Sequence, residues 1–278
     1  MKVAVLSDVQ ANQPALDAAA DEILAWGPDL VVMAGDLINR GPSSRACLER
    51  FDALRQTSGW LPVNGNHEVW VLRCAERPPT SPIDGQMRRF ADWTCTQITP
   101  VQHLLANWPD HLCFAGPGHR AWVHVAHGTL LGNRDGISAS LPDAALAERV
   151  PSELAVFVTA HTHKPLIRQF GGTLILNVGS VGSPFDGDPR GSYGRLEWRG
   201  GRWHAEICRF AYDRDQTDRD FHESGFLSEG GPLVRILYEE WRRAQLLMPT
   251  WVEAYRDAVL AEKIGLDEAV DAFLARLD

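Results

Sequence analysis

One apolar run after another in this sequence stops on a residue that can bind a divalent cation. The first, "VAVLSDVQANQ" (3 to 13), breaks into polar residues at Asp8, with an amide, Gln10, two positions on. The second ends at Asp36 in "AGDLINRG" and the third at Asn66 and His67 in "GNHE". Later runs end at His127 in "AHG" and at His161 and His163 in "AHTH". Mixed oxygen and imidazole donors suit borderline metals such as Mn, Fe, Co or Zn. Each residue alone also has a plain structural reading: Asp8 as part of a turn into a helix cap, a histidine as a satisfied strand residue. Their recurrence at strand ends favours a shared site. Gly35, Gly65 and Gly128 flank several of them, as expected where backbone turns sharply or approaches an ion. His124 precedes His127 by three along a strand, which places the two on opposite faces, so it reads as structural. Glu68 reads as an acid in a helix first turn, suiting the helix dipole.

The elements that position these residues are legible in outline. Residues 2 to 6 form a strand. "NQPALDAAADEILAWG" then carries Leu16, Ala19, Ala20, Ile23 and Leu24 at helical spacing, with Pro14 in the first turn and Gly27 as terminator. A strand at 29 to 35, a helix at 42 to 56 and a short strand at 60 to 63 complete a β-α-β-α-β alternation. This implies right-handed crossovers and a parallel core, with ligands at the carboxyl ends of the strands. Residues 76 to 110 interrupt the pattern with a "RPPTSP" loop and helices. From 111 onward the chain is strand-rich, and Gly-Gly turns at 171 and 200 point to antiparallel hairpins. Residues 212 to 232 read as polar and irregular. The segment 233 to 277 reads as helical, with Trp241, Leu246, Leu247, Trp251, Val259 and Leu260 supplying apolar contacts.

With 278 residues, 45% hydrophobic and 23% charged, the composition is that of a soluble globular protein able to bury a large core. No apolar run is long enough to span a membrane, and the amino-terminal apolar run is too short for a signal peptide, so a cytoplasmic location is expected. The five cysteines lack C-x-x-C spacing, so they are expected to be reduced and mostly buried. A net charge of −9 disfavours a phosphate-backbone binder, although a bound metal pair could reverse the sign locally.

D8-x-Q10, "GD-x-x-N-R-G" (35 to 41), "GNHE" (65 to 68), "HG" (127 to 128), "HTH" (161 to 163) and "NVGSVGSP" (177 to 184) together resemble the calcineurin-like metallophosphoesterases, in particular the bacterial phosphodiesterase-like branch. The resemblance implies a four-layer α/β/β/α sandwich of two mixed sheets flanked by helices. It places a metallophosphoesterase domain at 1 to 210, with a helical insert at about 70 to 110. A helical C-terminal extension at 211 to 278 is expected to pack on it. By similarity, Asp8, position 10, Asp36 and His163 would hold a first divalent ion, and Asp36 would bridge to a second held by Asn66, His127 and His161. Mn is the first expectation for both, with Fe, Zn, Co, Ni or Mg as alternatives. The family residue at position 10 is His. Gln10 is a weaker, neutral donor there, so the first ion should bind less tightly, or Gln10 should reach it through water or not at all.

The implied activity is hydrolysis of a small phosphate mono- or diester by attack of a metal-bridging hydroxide, two cations sharing a carboxylate because they would otherwise repel. His67 is the candidate acid for the leaving oxygen. Arg40 is a candidate phosphate contact, its alternative being a surface arginine after a turn. Relatives carry Asp where this chain has Asn39, so His67 lacks an anionic partner there. "GSVGSP" (179 to 184) reads as a tight turn supporting the site, since no Walker sequence follows. Trp60, Trp70, Trp93 and Trp108 could include a substrate-stacking wall. Two other readings stand beside the hydrolase: a non-catalytic metal-binding scaffold with this fold, and a nuclease, disfavoured by the charge. Neither nucleic acid nor membrane is an expected partner, and the oligomeric state is not readable.

Overall fold

The computed structural model describes residues 1–277. The chain runs β1 (Lys2–Leu6), α1 (Gln13–Trp26), β2 (Leu30–Ala34), α2 (Ser44–Ser58), β3 (Leu61–Val63), α3 (Asn66–Glu76), α4 (Pro82–Met87) and α5 (Arg89–Ile98). A 3-10 turn, Thr99–Leu105, leads to β4 (His111–Gly116), β5 (Arg120–Ala126), α6 (Asp143–Leu146), β6 (Val156–Thr159), β7 (Leu166–Phe170) and β8 (Thr173–Asn177). The chain continues through β9 (Gly191–Arg199), β10 (Arg202–Phe210), α7 (Arg214–Glu223), α8 (Phe226–Glu229), α9 (Val234–Arg243), α10 (Met248–Leu260) and α11 (Leu266–Leu274).

β1 is apolar from Val3 to Leu6 because both its faces are buried there, the pattern of a central strand. Val3 and Val5 face a second sheet, whereas Ala4 and Leu6 face the helices α1 and α2. The first sheet has the order β10-β9-β1-β2-β3, with β1, β2 and β3 parallel and β9 and β10 antiparallel. The second has the order β4-β5-β6-β8-β7, parallel through β5, β6 and β8 with antiparallel edges. The sheets meet across a layer rich in valine, including Val32, Val125, Val156 and Val158. The outer face of the second sheet is covered thinly, by Ile137, Leu146 and Val150 against Phe157 and Ile175. These are the expected four layers.

The helix after β1 also forms as expected. Asn12 accepts from the Ala15 N–H, Pro14 occupies the first turn, and Gly27 closes the helix at φ 63°. Leu24 alone of its expected apolar stripe stays in solvent.

Two readings need correction. Residues 212 to 232 are not irregular: they hold α7 and α8. Asp213 caps α7 by accepting from the Gln216 N–H, but only Thr217 and Phe221 are buried along it, too narrow a stripe to register as apolar periodicity. Leu246 and Leu260 are exposed, unlike Trp241, Leu247, Trp251 and Val259. The helices at 82 to 98 and those after 213, far apart in sequence, share one core, in which Phe90 and Trp93 of α5 pack with Phe226, Leu237, Trp241 and Trp251. Insert and C-terminal helices thus form a single lobe. The five cysteines are unpaired, with Cys113 exposed. Among the described residues, no helix is long and apolar enough to cross a membrane.

Candidate metal centre

The carboxyl ends of β1, β2, β5 and β6 and the start of α3 converge, bringing Asp8, Asp36, Asn66, His127, His161 and His163 into one cluster. The backbone bends to do so. Asp8, Gln10, Asp36, His161 and His163 all adopt left-handed φ, between 52° and 65°. Each such residue costs roughly 1 kcal/mol or more and persists only where the surroundings impose it, a pattern typical of functional sites. Gly35 and Gly65 allow the close approach: a Cβ on Gly65 would lie 2.1 Å from Asp36 Oδ1.

Two imidazoles are oriented from behind. His127 Nδ1 meets the Ala34 carbonyl at 2.8 Å and His163 Nδ1 meets that of Ser183 at 2.5 Å, so each donates there and a neutral ring has its Nε2 lone pair facing inward. The nearest inward neighbours of both Nε2 atoms are acceptors. His127 Nε2 is 3.0 Å from Asn66 Oδ1 and 3.4 Å from Asp36 Oδ2, and His163 Nε2 is 3.1 Å from Asp8 Oδ1. Asp8 Oδ1 and Gln10 Oε1 are buried without a hydrogen-bond donor. Lone pairs packed this closely require positive charge among them, from protons or from metal.

The ionisation tendencies agree. Burial pushes the Asp36 carboxyl up, but His127 and His67 beside it hold it well below the usual carboxylate range. Burial pushes His127 down, and Asp36 outweighs it and raises His127 far above an ordinary imidazole. Burial and the neighbouring His127 lower His161.

Asp36 belongs to two three-residue sets whose ligand atoms lie within 4.8 Å of one another, one with His127 and His161, the other with Asp8 and His163. Donor chemistry and orphaned buried oxygens therefore fit a pair of divalent cations sharing one carboxylate. Gln10 is arranged differently from the expected ligand: its amide nitrogen donates to Asp36 Oδ2 at 3.1 Å, while its oxygen is buried without a donor.

A profile of the calcineurin-like phosphoesterase superfamily domain matches residues 1–201. The chain belongs to this superfamily. A metallophosphoesterase from Sphaerobacter thermophilus is 26% identical, with a TM-score of 0.68 over 88% of this chain and 100% of that one. A hypothetical protein from Pyrococcus horikoshii OT3, 18% identical, shares the fold with a TM-score of 0.68 over 85% of this chain and 97% of its own. No curated protein matches the sequence.

In this calcineurin-like chain the cluster opens into a cavity of about 690 Å³. Asp36, His67, His161 and His163 line it together with Leu246, Met248, Pro249 and Val252 of the C-terminal lobe. His67 is buried against Asp36, its Nε2 3.8 Å from Asp36 Oδ2. Its Nδ1 accepts from the Asn39 amide at 3.0 Å, so a neutral His67 carries its proton on Nε2. Thr94 of α5 holds the Asn39 oxygen at 3.0 Å. Burial pushes His67 down to about 3; Asp36 opposes this, while Arg40 and His127 reinforce it.

Arg40 lines the cavity but is not a free surface arginine. It pairs with the buried Glu240 of α9, whose other oxygen accepts from Leu247 N–H at 2.8 Å and Met248 N–H at 2.7 Å. Phe185 stacks on His163, with ring centroids 4.2 Å apart.

Sequence reasoning understated Glu68. It lies in the first turn of α3 as expected, yet its buried carboxylate accepts from four backbone N–H groups, those of Gly65, Asp36, Leu37 and Ile38. It thereby ties the "GNHE" loop to the Asp36 loop. Burial, with Asp36 nearby, pushes its carboxyl up to about 7 against these donors. Glu240 and Phe185 left no signal in spacing; adjacency to "GNHE" was the only one for Glu68. "GSVGSP" does support the site, since Ser180 Oγ donates to the Asp8 carbonyl at 2.7 Å and Ser183 supplies the carbonyl behind His163. His124 faces away from the cluster and meets His111 at 3.0 Å. Of the four tryptophans weighed as a stacking wall, Trp60, Trp93 and Trp108 are core. Only Trp70 is half-buried, and it stands beside His67 with ring centroids 5.8 Å apart.

Proposed function

We propose that this protein is a metal-dependent phosphoesterase that hydrolyses a small phosphate di- or monoester. The observation that carries the reading is Asp36, a buried carboxylate common to two acceptor clusters whose imidazoles point lone pairs inward. Asp8, Asp36 and His163 would hold one divalent ion, and Asp36, Asn66, His127 and His161 the other, Mn being the first choice. When bound, such a pair supplies an activated water and neutralises charge on the phosphoryl oxygens. The chain's own residues do the rest. Neutral His67 donates a hydrogen bond from its Nε2–H to the leaving oxygen, with Asn39 fixing the tautomer. Arg40, anchored by Glu240, presents its remaining guanidinium N–H groups to the phosphoryl oxygens. The lobe's apolar wall limits access of bulk water to the cavity. The Mn-loaded protein is expected to hydrolyse members of a panel of nucleotides, cyclic nucleotides and aryl phosphoesters. Failure on every member would leave the scaffold reading.

Two variants test the roles of single residues. His67→Ala should lower turnover of an aryl phosphodiester by about 10²-fold, the lower range for a positioned hydrogen-bond donor, with metal content near wild type. Unchanged turnover would reject the role. Gln10→His should tighten the first ion by about tenfold, because imidazole replaces an amide that donates to Asp36. Competitive metal titration reads this directly, and equal affinities before and after would remove the idea.

A further inference from the structure

A second chamber of about 570 Å³ adjoins the metal-centre cavity, and Arg40, Met248 and Val252 line both. Its wall carries six arginines and a single acid, Asp84, in a chain whose acids outnumber its Lys and Arg by 36 to 27. Two of the arginines are occupied: Arg40 with Glu240, and Arg88 with Asp92 and the carbonyls of Cys74 and Arg77. Asp84 accepts from Thr80 N–H and Oγ1. The other four, Arg73, Arg77, Arg134 and Arg256, make no ion pair or side-chain hydrogen bond among the described residues. They come from α3 and its end, the loop after β5, and α10, so no sequence run of positive charge accounts for them. Guanidinium groups gathered unpaired on one wall repel one another, and a multiply charged oxyanion relieves that repulsion with paired N–H···O bonds. Between this wall and the metal centre lie Met248 and Val252, with Trp70 and Phe90 alongside, an apolar and aromatic stretch suited to a ring.

We propose that this chamber is a subsite for a second, non-transferred phosphate, so that the preferred substrates are phosphoesters bearing another phosphate across a ring, as in a nucleoside bisphosphate. The identity of the substrate class rests on the phosphoesterase reading; the anion subsite itself does not.

The experiment therefore has two arms, both on the full chain. In the first, protein stripped of metal with a chelator is titrated calorimetrically with inorganic tripolyphosphate, against the variant Arg77→Ala/Arg134→Ala/Arg256→Ala. The three side chains are exposed, and circular dichroism checks that the variant is folded. Expected are salt-sensitive binding and a loss of about tenfold or more in the variant. Absent binding, or equal affinity in folded variant and wild type, overturns the subsite. In the second arm the Mn-loaded enzyme is given adenosine 3′,5′-bisphosphate or adenosine 5′-monophosphate. kcat/KM should favour the bisphosphate by about tenfold or more, and the variant should erase most of that ratio. A ratio near one overturns the substrate class. Inorganic phosphate that raises monophosphate turnover to the bisphosphate level assigns the chamber to a separate effector and also overturns it. No hydrolysis of either nucleotide overturns the substrate class; if the aryl and cyclic phosphoesters are also left intact while arginine-dependent tripolyphosphate binding persists, the phosphoesterase reading falls and the anion site stands.

Discussion

Replacing Asp36 with Asn is expected to lower kcat/KM on an aryl phosphoester by about 10³-fold or more and to strip the protein of at least one bound metal. The substitution keeps the shape of the side chain, and its Oδ1 can still accept the His67 backbone N–H at 2.8 Å. What it removes is the negative charge facing His127 at 3.4 Å and the group common to both ligand sets. Lewis-acid stabilisation of a phosphoryl transition state is worth several kcal/mol, and each ~1.4 kcal/mol is tenfold in rate. Bound Mn per chain, measured by elemental analysis after gel filtration, should fall together with activity. Full metal content with wild-type turnover would contradict a shared carboxylate.

Glu68→Ala should be the most damaging change to stability near the site, although Glu68 lines no cavity and meets the ligand set only through the Asp36 backbone N–H. Its two oxygens satisfy four buried N–H groups, at 2.7 to 3.2 Å. Leaving a buried donor unsatisfied costs about 1–3 kcal/mol, so leaving all four unsatisfied should cost about 4 kcal/mol or more. For a chain of this size that corresponds to a fall in melting temperature of roughly 10 °C or more. Because the N–H groups belong to the loops that carry Asp36 and Asn66, metal affinity should fall in the same variant. Glu68→Gln keeps one acceptor oxygen, and its amide would point donors at donors, so it should be intermediate. Melting temperature and metal titration across the pair check this. A stable, metal-replete Glu68→Ala protein would show that the loops hold themselves.

Much of this protein was legible in its sequence, for local reasons. Runs such as "VAVL" are continuously apolar because both faces are covered, Gly-Gly pairs turn hairpins, and a strand that ends on Asp or His beside Gly delivers that side chain to the sheet edge. The positions of Asp8, Asp36, Asn66, His127, His161 and His163 along the chain therefore carried the centre, and the family they resemble carried its pairing. Other features left no mark. Gln10 occupies the position a ligand takes in the family, but which end of its amide faces Asp36 depends on packing from outside its own loop. Glu68 reaches four N–H groups through backbone folding that has no period in sequence. α7 buries two side chains in ten, so it reads as a polar loop.

The largest difference concerns the lobe. Its insert and C-terminal helices read as separate helical segments, the latter packing on the domain, and only tertiary packing joined them into one core, set Glu240 against Arg40 and collected arginines from separate segments around one chamber. Strand periodicity and turn chemistry act over a few residues, so the sequence determines them by itself. Burial of a carboxylate, pairing of a guanidinium and the shape of a cavity depend on residues brought close from far along the chain, and only the folded structure decides those.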